Sequence, residues 1–163
     1  MSIESQVRWD NYFLNMAYFV AQKSKDPSTQ CGTVIVGEDN EILTTGYNGL
    51  PRGLADNLPE RDERPEKYFW YEHGERNAIY NAARAGTSLK KSTAYITGCP
   101  CCDCARGLIQ SGVKRCVWDL DNSFATDPEK LARWRESMDR TLAMFRECGM
   151  EVEIIENFEK TVG

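Results

Sequence analysis

The sequence lacks the features that mark membrane, secreted and nucleic-acid-binding proteins. No stretch approaches the run of about 20 apolar residues that spans a bilayer, and the first ten residues, MSIESQVRWD, lack the apolar core of a secretory signal. No run of five or more like charges occurs, and 20 Lys plus Arg against 25 Asp plus Glu give a formal net charge of −5. A general affinity for nucleic acid needs clustered positive charge. We therefore expect a cytoplasmic protein with small-molecule partners and with neither a membrane nor nucleic acid among them.

Histidine is scarce and cysteine is plentiful. His73 is the single histidine, and the seven cysteines are an odd number. Four of them lie between Cys99 and Cys104, which suits metal binding in a reducing compartment better than a disulfide framework. The remaining three are predicted to be small apolar fillers of the core, namely Cys31, Cys116 and Cys148.

The hydrophobic pattern indicates an α/β protein. A length of 163 residues fits one domain, so we expect a single domain over residues 1–163. Periodicity and capping residues predict helices at 5–23, 73–86, 101–111 and 127–148, and strands at 33–36, 42–45, 93–97, 115–118 and 151–155. Because helices separate the later strands, part of the sheet is expected to be parallel and covered on both faces. Residues 46–72 form a long irregular segment, which is usually functional in a compact domain.

Two short motifs supply a set of metal ligands. They are His73-Gly74-Glu75 and Pro100-Cys101-Cys102-Asp103-Cys104, and both fall at predicted helix starts. Cys101 and Cys104 are three residues apart, so their sulfurs lie on one side of a helical turn. A histidine with two cysteines leaves the fourth position of tetrahedral zinc open, as in catalytic sites. The N-terminus of a helix also favours the thiolate that binds metal.

Glu75 is the candidate catalytic residue beside these ligands. A carboxylate there can take a proton from water acidified by the metal and carry it to a substrate nitrogen. Cys101-x-x-Cys104 alone would also fit a zinc knuckle or a thioredoxin-like redox pair. Those readings leave His73 and Glu75 unexplained, whereas the two motifs together are the known signature of zinc deaminases that act on nucleobases. The sequence therefore predicts zinc-dependent hydrolysis without a covalent enzyme intermediate.

Four stretches resemble the deoxycytidylate (dCMP) deaminases of the cytidine deaminase-like superfamily. They are residues 24–30, 46–53, 73–79 and 100–112. The resemblance implies a three-layer α/β/α fold with a mixed five-stranded sheet, and zinc held by His73, Cys101 and Cys104. It implies that Glu75 shuttles protons between water, N3 and the departing amine while hydroxide attacks C4, so that dCMP becomes dUMP and ammonia.

The resemblance also implies nucleotide contacts outside the metal ligands. Asn48 would contact the sugar, and Ser24 and Lys25 are the candidates near the 5′-phosphate. An exposed turn would explain Lys25 equally well. A regulatory site where dCTP activates and dTTP inhibits, in an assembly that is commonly hexameric, is implied for Gly46, Tyr47, Asn48, Gly49 and Arg52. A triphosphate there would bring Mg²⁺; a plain turn at a strand end is the alternative.

The sequence departs from the family at the residues around the base. Gly74 stands where the family usually has alanine, and residues 119–126 lack the tyrosine that family members often carry. Phe124 or Trp118 is therefore the candidate aromatic near the base. Residues 68–71, which read Tyr-Phe-Trp-Tyr, offer further candidates, although we expect at least two of the four to pack in the core.

Other functions remain open from the sequence. A polynucleotide or tRNA deaminase would share the metal motif but needs an extended basic channel. Pteridine- and purine-acting relatives fit residues 24–30 and 46–53 less well. A non-catalytic, zinc-stabilised nucleotide-binding module would close the metal site with a fourth protein ligand and would have no use for Glu75.

Overall fold

A mixed five-stranded sheet forms the centre of the molecule. The structure is a computed structural model and describes residues 2–121 and 128–161. Its strands in the described residues are β1 (Gly32–Val36), β2 (Ile42–Tyr47), β3 (Thr93–Ile96), β4 (Arg115–Asp119) and β5 (Glu151–Ile155). They are arranged in the order β2-β1-β3-β4-β5. β1 is antiparallel to both β2 and β3, whereas β3, β4 and β5 are mutually parallel. The predicted mixed sheet with a parallel portion is confirmed.

Five α-helices surround the sheet in the described part of the chain. They are α1 (Ile3–Ala21), α2 (Lys67–Trp70), α3 (Gly74–Ala85), α4 (Cys102–Ser111) and α5 (Pro128–Cys148). The sequence predicted all of them except α2, which lies with a 3₁₀ turn (Pro59–Arg61) inside the segment expected to be irregular. α3 and α4 end at Gly86 and Gly112, whose φ angles of 71° and 89° favour glycine. Asp127, at the predicted start of α5, lies outside the described residues.

Alternate residues of each central strand face opposite layers. On one face of the sheet, Phe13 and Ala17 of α1 pack with Val34, Val36, Tyr95 and Val117. The opposite face carries Ile35, Ala94, Ile96, Cys116 and Trp118, which pack against α3, α4 and α5 through Ala78, Leu108 and Phe145. This period of two is the signature of a sheet buried on both sides. The three-layer α/β/α arrangement is therefore confirmed, and so is the prediction that Cys116 fills the core.

α3 approaches β2 closely at its first turn. A Cβ atom at Gly46 of β2 would lie 2.2 Å from the carbonyl oxygen of Gly74 and 2.3 Å from the amide nitrogen of Ala78. Glycine is required for this contact, because any side chain would overlap the α3 backbone. The contact fixes where the N-terminus of α3 stands relative to the sheet.

A buried ion pair joins α1 to the sheet. The Arg115 guanidinium of β4 donates through Nη1 and Nη2 to the two carboxylate oxygens of Asp10, each at 2.8 Å. The Tyr95 hydroxyl (2.8 Å) and the Gln6 side-chain amide (3.0 Å) also donate to Asp10. Burial alone would raise the pKa of Asp10, but the bonds from Arg115, Gln6 and Tyr95 outweigh it and lower that pKa.

None of the helices in the described residues is both long and apolar enough to cross a bilayer.

Candidate active site

Three metal-binding side chains converge at the N-termini of α3 and α4. His73 and Cys101 are the N-cap residues of these helices, and Cys104 lies in the first turn of α4. The Nδ1 atom of His73 is 3.4 Å from the Cys101 sulfur and 3.6 Å from the Cys104 sulfur. Zinc with bonds of about 2.0 to 2.3 Å in a tetrahedron has ligand atoms roughly 3.5 Å apart. The spacing and the donor atoms therefore fit zinc, with one position left for a non-protein ligand.

Hydrogen bonds within this group prepare it for a cation. The hydrogen bonds with Cys104 and then with His73 lower the pKa of the Cys101 thiol, although burial opposes the change. The contact with Cys101 raises the pKa of His73 to about 9. A thiolate is thus favoured at Cys101, and a metal that binds here displaces the remaining protons.

Glu75 lies in the first turn of α3 and lines the same cavity as His73 and Cys101. Glu75 is only 6% exposed, and burial raises the pKa of its carboxyl group. Among the described residues, the group of side chains that could hold a metal contains His73, Cys101 and Cys104 but not Glu75. A carboxyl group placed beside the ligands without joining them is suited to proton transfer.

The α5 helix walls this cavity, which sequence reasoning missed. Trp134, Ser137 and Met138 line it and occupy one face of α5. The Trp134 ring meets the His73 ring edge-on, with centroids 6.3 Å apart, and meets the Tyr68 ring at 6.2 Å. The spacing of the three residues was visible in the sequence, but it indicates only a buried helix face.

Several expectations for aromatic residues and cysteines were wrong. Trp118 is 2% exposed and packs in the core with α3 and α4, so it does not reach the cavity; Phe124 lies outside the described residues. None of residues 68–71 is buried, and Tyr68 and Tyr71 line the cavity, so the predicted core packing of that segment is not found. Cys148 is exposed, so the prediction that it is an apolar filler was wrong, whereas Cys31 is partly buried and lines the cavity.

Asn48 is held rigidly at the cavity wall. Its Nδ2 donates to the Asp26 carboxylate (3.0 Å) and to the carbonyl of Thr29 (2.8 Å), while its Oδ1 accepts from the Cys31 amide (2.7 Å). Ser24 is buried behind it, with its hydroxyl donating to the Asn48 carbonyl at 2.7 Å. A contact between Asn48 and a sugar stays a prediction. These hydrogen bonds would orient the Asn48 side chain for it.

A second buried ion pair supports Asn48. Lys67 Nζ lies 2.5 Å from Asp26 Oδ2, and the two side chains are 9% and 1% exposed. Lys67 also donates to the Ser28 hydroxyl at 2.7 Å. Burial alone would raise the pKa of Asp26, but the bonds from Lys67 and Ser28 outweigh it and lower the pKa. Both members of the pair line the cavity.

The residues predicted to contact phosphate lie apart from the cavity lining. Lys25 has a 72% exposed side chain and pairs with Asp56. Neither Lys25 nor Ser24 lines the cavity that contains Glu75. Their contact with phosphate stays a prediction that this geometry does not support by itself.

The segment from Gly46 to Arg52 spans two surfaces. Of its predicted regulatory residues, Asn48 lines the cavity, whereas Tyr47 is 41% exposed. Arg52 donates to Asn81 Oδ1 of α3 at 2.5 Å, outside the cavity. Gly49 is bonded through its backbone to Glu72, and the space beside Gly46 is filled by α3. A nucleotide at this segment stays a prediction.

Comparison with known proteins decides the family. The sequence profile of the cytidine and deoxycytidylate deaminase zinc-binding region matches residues 7–120, which include His73, Glu75, Cys101 and Cys104. The chain belongs to this family. It is therefore a hydrolytic deaminase, and the three converging side chains lie within the family's zinc-binding region.

Individual members of the family resemble the chain over most of its length. Human deoxycytidylate deaminase is 36% identical over 135 residues, which cover 80% of this chain and 75% of the human protein. An uncharacterized deaminase of Aliivibrio fischeri is 37% identical over 145 residues, 89% of this chain and 92% of that protein. The dCMP deaminase of cyanophage S-TIM5, solved with dCMP and dUMP, shares the fold with a TM-score of 0.69. Its identity is 22%, over 95% of this chain and 99% of that one.

Proposed function

We propose that this deaminase converts dCMP to dUMP and ammonia, with zinc held by His73, Cys101 and Cys104. The observation that carries the proposal is the buried, unliganded Glu75 beside a three-ligand group that leaves one position open. The similarity to human deoxycytidylate deaminase supports the choice of substrate. Trp134 and Tyr68 offer apolar rings to a base, and Asn48 Oδ1, which accepts one bond from the Cys31 amide, keeps a second lone pair for a sugar hydroxyl.

Each of these side chains has a distinct task in the reaction. Zinc, when bound, supplies the Lewis acid that makes water a stronger acid at neutral pH. The Glu75 carboxylate takes the proton of the attacking water and passes protons to N3 and to the amino group at C4. A C–O bond forms at C4 and its C–N bond breaks, so that water and dCMP give dUMP and ammonia. Because Glu75 is buried beside the ligand group, its carboxyl group is placed to hold a proton between these transfers.

The decisive experiment measures ammonia release from dCMP by the zinc-loaded protein. Glu75→Gln is expected to lose about 100- to 10,000-fold of the rate while it keeps one zinc per chain. Cys101→Ala and Cys104→Ala are expected to lose the metal. Cys102→Ala is the matched control, because Cys102 lies between them outside the ligand group, and this variant is expected to keep zinc and activity. A wild-type protein with stoichiometric zinc that leaves dCMP unchanged, with and without dCTP, contradicts the proposal.

Regulation by nucleotides extends this proposal. dCTP would activate and dTTP would inhibit the enzyme at Gly46, Tyr47, Asn48, Gly49 and Arg52, with Mg²⁺ on the triphosphate and a hexamer as the assembly. Exposed Tyr47 beside buried Asn48 supports it, because one backbone segment then joins an outer surface to the cavity. dCMP saturation curves with each triphosphate test the effect, and sedimentation equilibrium tests the assembly. If an Arg52→Gln variant responds to both triphosphates as the wild type does, Arg52 is not part of this site.

A further inference from the structure

Three cationic side chains compete as the partner of a nucleotide phosphate: Lys25, Lys67 and Arg64. Lys25 is excluded by position, since it lies outside the cavity lining and its charge faces Asp56 in solvent. An exposed pair of this kind also leaves the cavity potential almost unchanged, because water screens it.

Lys67 lines the cavity but already has its anion. Its ammonium group contacts the Asp26 carboxylate, and it donates to the Ser28 hydroxyl as well. A phosphate that took Lys67 would leave Asp26 buried without its cation. Uncompensated buried charge is strongly unfavourable, so Lys67 is committed to the protein.

Among the described residues of the cavity lining, Arg64 is the arginine or lysine that remains, and it is exposed. No residue within 2–121 or 128–161 forms a hydrogen bond or ion pair with its guanidinium group. The group offers five N–H donors in a planar fork that matches two oxygens of a phosphate. Arg64 is exposed and lies at the open end of the cavity, whereas Glu75 is 6% exposed and lies at its buried end.

We infer that Arg64 binds the 5′-phosphate of the nucleotide at the mouth of the cavity and thereby selects nucleoside monophosphates over nucleosides. This inference rests on the proposed function, because a base with C4 at Glu75 places its 5′ end toward the opening. It assigns Arg64 the phosphate contact that the sequence suggested for Ser24 and Lys25.

The test compares equilibrium binding of dUMP and deoxyuridine to the zinc-loaded protein by calorimetry. These ligands differ only in the phosphate and are not turned over. Wild type is expected to bind dUMP about 10- to 100-fold more tightly, the range of a charge-assisted pair. Arg64→Gln is expected to remove this preference while deoxyuridine binds as before. Lys25→Gln, a matched loss of one nearby positive charge, is expected to keep the preference.

Three outcomes would overturn the inference. They are a wild type without a preference for dUMP, an Arg64→Gln protein that keeps it, and a Lys25→Gln protein that loses it. Failure of the proposed reaction is a separate result: a protein that never deaminates dCMP but shows the Arg64-dependent preference retains the phosphate site and loses the proposed chemistry.

Discussion

Two buried ion pairs, Asp10 with Arg115 and Asp26 with Lys67, use the same device in different places. Each carboxylate is lowered in pKa and accepts several hydrogen bonds besides those of its cation. Asp10 receives them from Gln6 and Tyr95, away from the cavity, whereas Asp26 receives one from Asn48 inside it. The difference teaches that one pair joins helix to sheet only, while the other also fixes a side chain proposed to contact the substrate.

The largest change is expected when either cation is replaced by methionine. Lys67→Met and Arg115→Met each leave a buried carboxylate without its cation, which costs about 3 to 5 kcal/mol of the free energy of unfolding. Urea denaturation of the zinc-loaded proteins measures it. Only Lys67→Met is expected also to raise the KM for dCMP. An equal rise in the KM of Arg115→Met would show that the two ion pairs do not differ in their effect on substrate binding.

A smaller effect is expected when each carboxylate becomes an amide. In Asp26→Asn the charged acceptor of Asn48 disappears, and we expect the KM for dCMP to rise about tenfold. Asp10→Asn is the matched control, with a KM within about twofold of wild type, because its partners do not line the cavity. Steady-state kinetics with dCMP show whether both carboxylates affect substrate binding or only Asp26 does.

Removal of single hydroxyl donors sharpens the comparison further. Ser28→Ala removes a donor to Asp26, and Tyr95→Phe removes one to Asp10, at distances of 3.0 and 2.8 Å. Each is expected to cost about 1 kcal/mol of unfolding free energy. Ser28 is exposed and Tyr95 is buried, so Tyr95→Phe is expected to cost more. The reverse order in thermal or urea unfolding would show that burial does not set the cost here.

The mildest expected effect is a change in how stability responds to acid. Both aspartates have a folded-state pKa below 3.8, so the stability they contribute is complete above pH 3.8 and is lost as the pH falls below it. Asp10→Asn and Asp26→Asn are each expected to flatten the fall in unfolding free energy below that pH. All the proteins keep the same metal ligands, so metal loss in acid is common to them. Curves of unchanged slope would show that neither pKa is depressed.

The metal site could be predicted from the sequence because its parts are local. His73 with Glu75, and Cys101 with Cys104, each sit within one helical turn, and helix starts are marked by neighbouring residues. The parallel direction of the later strands followed from the helices between them. These inferences needed no knowledge of which distant residues meet.

The cavity wall could not be predicted, because it depends on contacts between distant segments. Lys25 is adjacent to Asp26 in sequence, yet the cation that reaches Asp26 is Lys67 from α2. Trp134 has the spacing of an ordinary buried residue, and only the packing of α5 turns its face toward His73. Periodicity reports that a face is covered and does not say by what.

Gly46 lies outside the metal site but affects how the metal ligands are positioned. A methyl group there would need the space of the Gly74 carbonyl, 2.2 Å away, and would push β2 from α3. Gly74 follows His73, whereas Cys101 is the N-cap of α4 and Cys104 lies in its first turn, so a displacement of α3 would move one ligand and leave the other two in place. The packing of β2 against α3 thus sets the distance between the His73 nitrogen and the two cysteine sulfurs. Gly46→Ala is expected to weaken zinc binding in a chelator competition assay, although residue 46 does not contact the metal.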